Sequence, residues 1–139
     1  MIAEWTGMLP INGEIVVVED NDILRQLMAD ILMGIRAKVV LFERADDALI
    51  HVLDNHGHCS LLLADHSIPG HILGLQLAQM FRSKWPNIPV TLTSGYEQEF
   101  FELPEGVAFL QKPWPVGKLV ETVASLLQPG IIPTRLGSA

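Results

Sequence analysis

The sequence has a single cysteine in 139 residues, Cys59. An internal disulfide is therefore excluded, and the chain reads as a protein of a reducing compartment. Cys59 stands just before an apolar run and reads as a small core side chain, not a nucleophile. Charged residues make up only 18% of the chain against 49% hydrophobic, which excludes a disordered segment and suits one compact domain. No apolar run approaches the roughly 20 residues of a membrane helix. The N-terminus lacks the basic start and apolar core of a signal peptide. The expected location is therefore cytoplasmic, with no membrane contact. Positive charge is scarce too: nine Lys and Arg against 16 Asp and Glu give a net charge of −7. Such an acidic surface argues against direct binding of nucleic acid. No G-x-G-x-x-G follows the first apolar run, so a dinucleotide site is not expected. The five histidines are too scattered to suggest a metal site. Internal repeats, heptads and low-complexity segments are also missing.

What is present is organised around Leu61-Leu62-Leu63-Ala64-Asp65. Four apolar residues run into one carboxylate, and Ser67, Pro69 and Gly70 follow, as in a buried strand that ends in a turn. A strand with no polar face belongs at the centre of a parallel sheet covered on both sides. The rest of the chain repeats a strand-helix alternation. Glu14–Val18 predicts a first strand, β-branched throughout its apolar part. Asn21 or Asp22 can cap a helix whose apolar stripe runs from Ile23 to Ile35, with Gly34 as its end. A second strand is expected over Lys38–Phe42, and a second helix from Ala45 to about His56, broken by Gly57. After the Leu61 strand, Leu75, Leu77, Ala78 and Phe81 mark a third helix that stops before Pro86. Ile88–Leu92 and Val107–Leu110 predict the last two strands. Val116, Leu119, Val120, Val123, Leu126 and Leu127 give the final helical stripe, ended by Pro129-Gly130. Residues 1–12 read as a loosely packed N-terminal extension, 13–128 as the domain, and 129–139 as a short tail.

Five β-α units with right-handed crossovers make a doubly wound parallel α/β sheet. In such sheets the chemistry sits at the C-terminal strand ends. Those ends supply Glu19 and Asp20, Asp65, Ser94 and Lys112. With strand order 2-1-3-4-5, the first and third strands are neighbours, so Glu19, Asp20 and Asp65 converge. Three crowded carboxylates repel one another unless a cation joins them. An all-oxygen set of this kind suits Mg²⁺ alongside phosphate oxygens. Lys112 adds a point charge for an anion and Ser94 a hydroxyl. These are the parts of phosphoryl transfer, with Asp65 as the natural nucleophile for an acyl phosphate.

The set resembles the receiver domain of two-component response regulators. The resemblance is carried by Glu19-Asp20 after Val16-Val17-Val18, Asp65 followed by Ile68-Pro69-Gly70, Ser94-Gly95, and Lys112-Pro113. It implies a flavodoxin-like (βα)5 fold. It implies that Asp65 accepts a phosphoryl group from a sensor histidine kinase or a histidine phosphotransfer protein. It also implies that Asp20 and Asp65 bind Mg²⁺ with the backbone carbonyl of Ser67, Glu19 acting beside them. Ser94 and Lys112 would contact the phosphoryl oxygens. Ser94 and Phe109 would form the switch that a downstream protein target reads, and a homodimer is a possible output. The chain departs from the usual pattern in three places. The loop through His71 and Gly74 is longer. The span from Ser94 to Lys112 is shorter, which predicts a short or irregular fourth helix. Trp114 stands where phenylalanine is usual. Two rival readings are a degenerate receiver that binds partners without phosphorylation, and a small Mg²⁺-dependent aspartate phosphohydrolase.

Overall fold

The computed structural model describes residues 5–67, 70–95 and 103–135. Its elements in chain order are β1 (Trp5–Thr6), β2 (Glu14–Val18), α1 (Asp22–Met33), β3 (Lys38–Phe42), α2 (Ala45–Asp54) and β4 (Leu61–Asp65), then α3 (Gly74–Lys84), β5 (Val90–Ser94), β6 (Val107–Gln111), α4 (Val116–Leu127) and β7 (Thr134–Arg135). Five strands form one parallel sheet in the order β3-β2-β4-β5-β6. Counted along the sheet's own strands, this is the predicted 2-1-3-4-5 order, the doubly wound flavodoxin-like arrangement.

The two faces of the sheet follow from alternation along each strand. Ile15, Val17, Leu61 and Leu63 pack with Met28, Ile31 and Leu32 of α1 and Leu119, Val120 and Val123 of α4. Val16, Val18, Leu62, Ala64, Val90 and Leu92 point the other way, onto α2 and α3 through Ala48, Val52, Leu77 and Phe81. All five residues of β4 are buried, Asp65 included. The run without a polar face thus lies in the middle of the sheet, as its composition requires.

Helix ends follow their local chemistry. Asn21 caps α1, its side chain accepting from the Leu24 amide at 2.9 Å. Arg36, not Gly34, takes the left-handed conformation after α1, with φ at 63°. The second helix stops at Asp54, two residues short of the predicted His56. His56 and Gly57 both have positive φ there, and the Gly57 amide turns back to the Val52 carbonyl at 2.9 Å. Strand β5 begins at Val90 instead of Ile88, because Pro89 has no amide to give the ladder. The expected short fourth helix falls within 97–106; of these, 97–102 lie outside the described residues, and 103–106 are not helical.

Of the N-terminal extension, the described residues 5–12 are docked, contrary to the loose packing expected of it. β1 pairs antiparallel with β7, Trp5 opposite Arg135 and Thr6 opposite Thr134. Met8 is buried in the core, and its carbonyl accepts from Arg36. The β1–β7 pairing joins residues more than a hundred positions apart and leaves no local signal. The Cys59 thiol is pushed up to about 11 by burial; it donates to the Leu61 carbonyl at 3.3 Å. It is unreactive filler, as read from the sequence.

At the opposite sheet edge from the strand C-termini, Glu14 contacts His51 at 2.8 Å and Lys38 at 3.6 Å. The hydrogen bond from His51 holds the Glu14 carboxyl below its ordinary value of 4.5, outweighing burial, with the charges of His51 and Lys38 adding to it. A carboxyl depressed in the folded state stabilises the fold fully above 4.5 and loses that contribution as the pH falls through the folded value. Glu14→Gln is therefore expected to lower stability by about 0.5–1 kcal/mol at neutral pH, with the gap closing in acid. Urea unfolding of both proteins at the two pH values measures it.

Candidate phosphoryl-transfer site

Asp65 ends β4 and lies in register with Thr93 of β5. Glu19 follows β2, its amide donating to the Phe42 carbonyl at 3.0 Å. The sheet ladder thus fixes where both carboxylates emerge. Glu19 is 1% exposed and Asp65 5%, whereas Asp20 is open to solvent. One oxygen from each of Glu19, Asp20 and Asp65 lies within 4.8 Å of the others. Lys112, on the far side of the sheet in sequence, reaches in from the end of β6. Its Nζ donates to Glu19 Oε1 at 2.7 Å and stands 3.1 Å from Asp65 Oδ2.

Burial is the main reason that the Glu19 carboxyl is raised above its ordinary value. The hydrogen bonds from Lys112 and the Asn21 amide oppose this, and the Asp65 charge adds to it. For Lys112, burial alone would lower the ammonium's pKa, but the Glu19 hydrogen bond and the Asp65 charge outweigh it and hold it above 10.5. Three carboxylates face one ammonium, so acidic groups outnumber the cation in the cluster and leave it short of positive charge. Oxygen donors, an accessible Asp20 edge and that shortfall fit a hard divalent cation such as Mg²⁺. Two histidines have partners elsewhere: His51 pairs with Glu14 and His71 approaches Asp46 at 3.7 Å.

Ser94 is fully buried at the end of β5, and its carbonyl accepts the Lys112 amide at 2.8 Å. The Ser67 amide points back to Asp65 Oδ1 at 3.4 Å, which sets the start of the loop after β4. Phe109 lies on β6 opposite Leu92 and is 40% exposed. The Lys112-Pro113 bond is cis. Two supporting residues escaped sequence reasoning. Arg25 donates to the Glu19 carbonyl at 2.9 Å while pairing with Asp22 at 2.6 Å, so it pins the acidic turn. Its helical position marks it only as polar. Gly74, at the start of α3, packs onto the backbone of Asp65 and His66.

Against this geometry, comparison with known proteins is decisive. The response regulator receiver domain family matches residues 15–124. The chain belongs to that family. FleR, a response regulator protein of Pseudomonas aeruginosa, is 30% identical over 116 residues, covering 81% of this chain and 24% of FleR. The chain thus spans about a quarter of that relative's length. The receiver domain of the hybrid histidine kinase CckA is 35% identical with a TM-score of 0.71, covering 84% of this chain and 100% of that one. NtrX from Brucella abortus is 25% identical with a TM-score of 0.73, covering 85% of this chain and 27% of NtrX. The chain is a receiver domain of two-component signalling, and receiver domains of this family interact with histidine kinases or phosphotransfer proteins and with downstream effectors. Among the described residues no helix is long and apolar enough to cross a membrane.

A Cβ at Gly74 would stand 2.7 Å from the His66 Cα and 2.8 Å from the Asp65 carbonyl carbon. Both are backbone atoms, so the helix or the loop must move. Gly74→Ala is expected to destabilise the domain by about 1–3 kcal/mol despite alanine's better helix propensity. A lowered urea midpoint with an unchanged slope is the reading that checks it.

Proposed function

We propose that Asp65 is the phosphoacceptor and that its donor is a phosphohistidine on a sensor histidine kinase or phosphotransfer protein. The observation that carries this reading is the single ammonium of Lys112 shared between Glu19 and Asp65. An Asp65 oxygen attacks phosphorus, the bond from phosphorus to the imidazole nitrogen breaks, and the imidazole takes up a proton. The product is an aspartyl phosphate. Lys112 is held within reach of Asp65, so its charge can follow the phosphoryl oxygens without crossing the site. Ser94, buried beside it, supplies a hydroxyl donor to the same group. Glu19, Asp20 and Asp65, with the Ser67 carbonyl, would hold Mg²⁺, which when bound would neutralise charge on the phosphoryl group. Positioning then does the remaining work, and the protein promotes its own phosphorylation and dephosphorylation.

Output follows from what phosphorylation removes. Once the phosphoryl group engages Lys112, the contacts with Glu19 and Asp65 are redistributed. Ser94, whose carbonyl holds the Lys112 amide, is the adjoining element. Phe109 on the neighbouring strand is the surface residue that a downstream protein reads, in a two-state switch biased by the new charge. A cytoplasmic setting suits the single, unreactive cysteine.

Intact mass after incubation with acetyl phosphate and Mg²⁺ tests the assignment. One added phosphoryl group is expected, lost in Asp65→Asn and on adding a chelator. An adduct that survives in Asp65→Asn overturns the choice of acceptor. Mg²⁺-dependent turnover of small phosphoesters would favour a phosphohydrolase.

A further inference from the structure

The family match covers residues 15–124, yet chain outside it is built into the fold at both ends. The Trp5 amide donates to the Gly34 carbonyl at the end of α1 at 3.3 Å, and β1 pairs with β7. Four residues on, Leu9 and Gln128 exchange two hydrogen bonds, at 2.9 Å and 2.7 Å. Gln128 caps the C-terminal end of α4. The Trp5 ring reaches the other end: a Cβ at Gly117 would meet its Cη2 at 3.6 Å. The N-terminal segment therefore touches both ends of α4.

The start of α4 needs that support. Pro115 provides no side-chain cap, and the first turn carries no acidic residue. Lys118 instead places a positive charge at the positive end of the helix dipole. Gly117 is a poor helix former. Against this, α1 begins with the Asn21 cap and Asp22 in its first turn. The weak turn lies four residues after Lys112, joined to it through Pro113, Trp114 and Pro115. Trp5, Trp114 and Val116 pack against the same core cluster.

We propose that β1 is a strap, with Trp5 as a positioning residue, that holds the first turn of α4 and through it the Lys112–Trp114 loop at the phosphoacceptor site. The strap itself stands on packing. Its effect on phosphoryl transfer rests on the assignment of Asp65 and Lys112 above. Glu19, Asp20 and Asp65 are set by the β2–β4 ladder, whereas the strap's backbone bonds are to β7 and to the end of α1. Release should therefore disturb the lysine side of the site and spare the carboxylate side.

The test compares the full chain with Trp5→Ala, Trp5→Phe and Gln128→Ala. Amide hydrogen exchange is followed at residues 112–119 and, as an internal control, in α3. Trp5→Ala should speed exchange at 112–119 roughly tenfold and leave α3 unchanged. Gln128→Ala, which loosens the strap without touching Trp5 or Gly117, should show the same pattern at smaller size, and Trp5→Phe should restore most of the protection. Acetyl phosphate should then phosphorylate Trp5→Ala at least about threefold more slowly at unchanged Mg²⁺ affinity, since only the lysine side is loosened. Unchanged exchange at 112–119, or a uniform rise that includes α3, overturns the strap. Local loosening with an unchanged phosphorylation rate overturns its positioning role. If the wild-type chain takes up no phosphoryl group, the phosphoacceptor assignment fails, and exchange still decides the strap.

Discussion

The ammonium of Lys112 between Glu19 and Asp65 is the interaction on which the site depends. Two carboxylates that are almost wholly buried stand beside a third, and the Asp65 charge adds to the cost of ionising Glu19. Burial alone would push Glu19 toward its neutral form and Lys112 toward its free amine. The 2.7 Å and 3.1 Å contacts oppose this and repay part of the lost hydration. The repayment is incomplete, since one cation faces three anions. That deficit suits a further, hard cation.

Holding like charges together requires a frame that does not yield. The parallel sheet supplies it. β2 and β4 are adjacent, paired from Ile15 and Leu61 to Val18 and Ala64, and both are buried on both faces. Separating Glu19 from Asp65 would mean breaking that ladder inside two packed layers. Repulsion among the carboxylates is thus borne by the whole core, with Arg25 tying the Glu19 carbonyl to α1.

Much of this was legible in the sequence because parallel sheets write their pattern locally. Runs such as Val16-Val17-Val18 and Leu61-Leu62-Leu63 have no polar face, helices show a stripe, and crossovers have one hand. Those facts give the layers and, with the receiver resemblance, the strand order. The polar residues at the strand ends were legible for the same reason: a charge directly after a buried run has one place to go. What the sequence did not show depends on pairing across the chain. Met8, Trp5 and Gln128 make contacts that no period encodes, so the N-terminal segment read as loose. Gly74 reads as a loop glycine until the Asp65 backbone is seen against it. The end of α2 shifted because His56 accepts a left-handed conformation ahead of Gly57, which composition does not require.

The site is therefore built from two kinds of support. The carboxylates belong to central strands and are as fixed as the core. Lys112 comes from β6, at the edge of the sheet, and from the loop before a helix with no cap of its own. A switch needs such an asymmetry. If every group were held by the central ladder, phosphorylation could change charge but not shape; if none were, the carboxylates would relax apart and the site would lose its demand for a cation. In the proposed mechanism, Lys112 responds to the phosphoryl oxygens from its edge position while Asp65 stays in place on the central ladder. The packing of Trp5 over Gly117 then limits how far that response can go, which makes a segment outside the family's matched core part of the switch's mechanics.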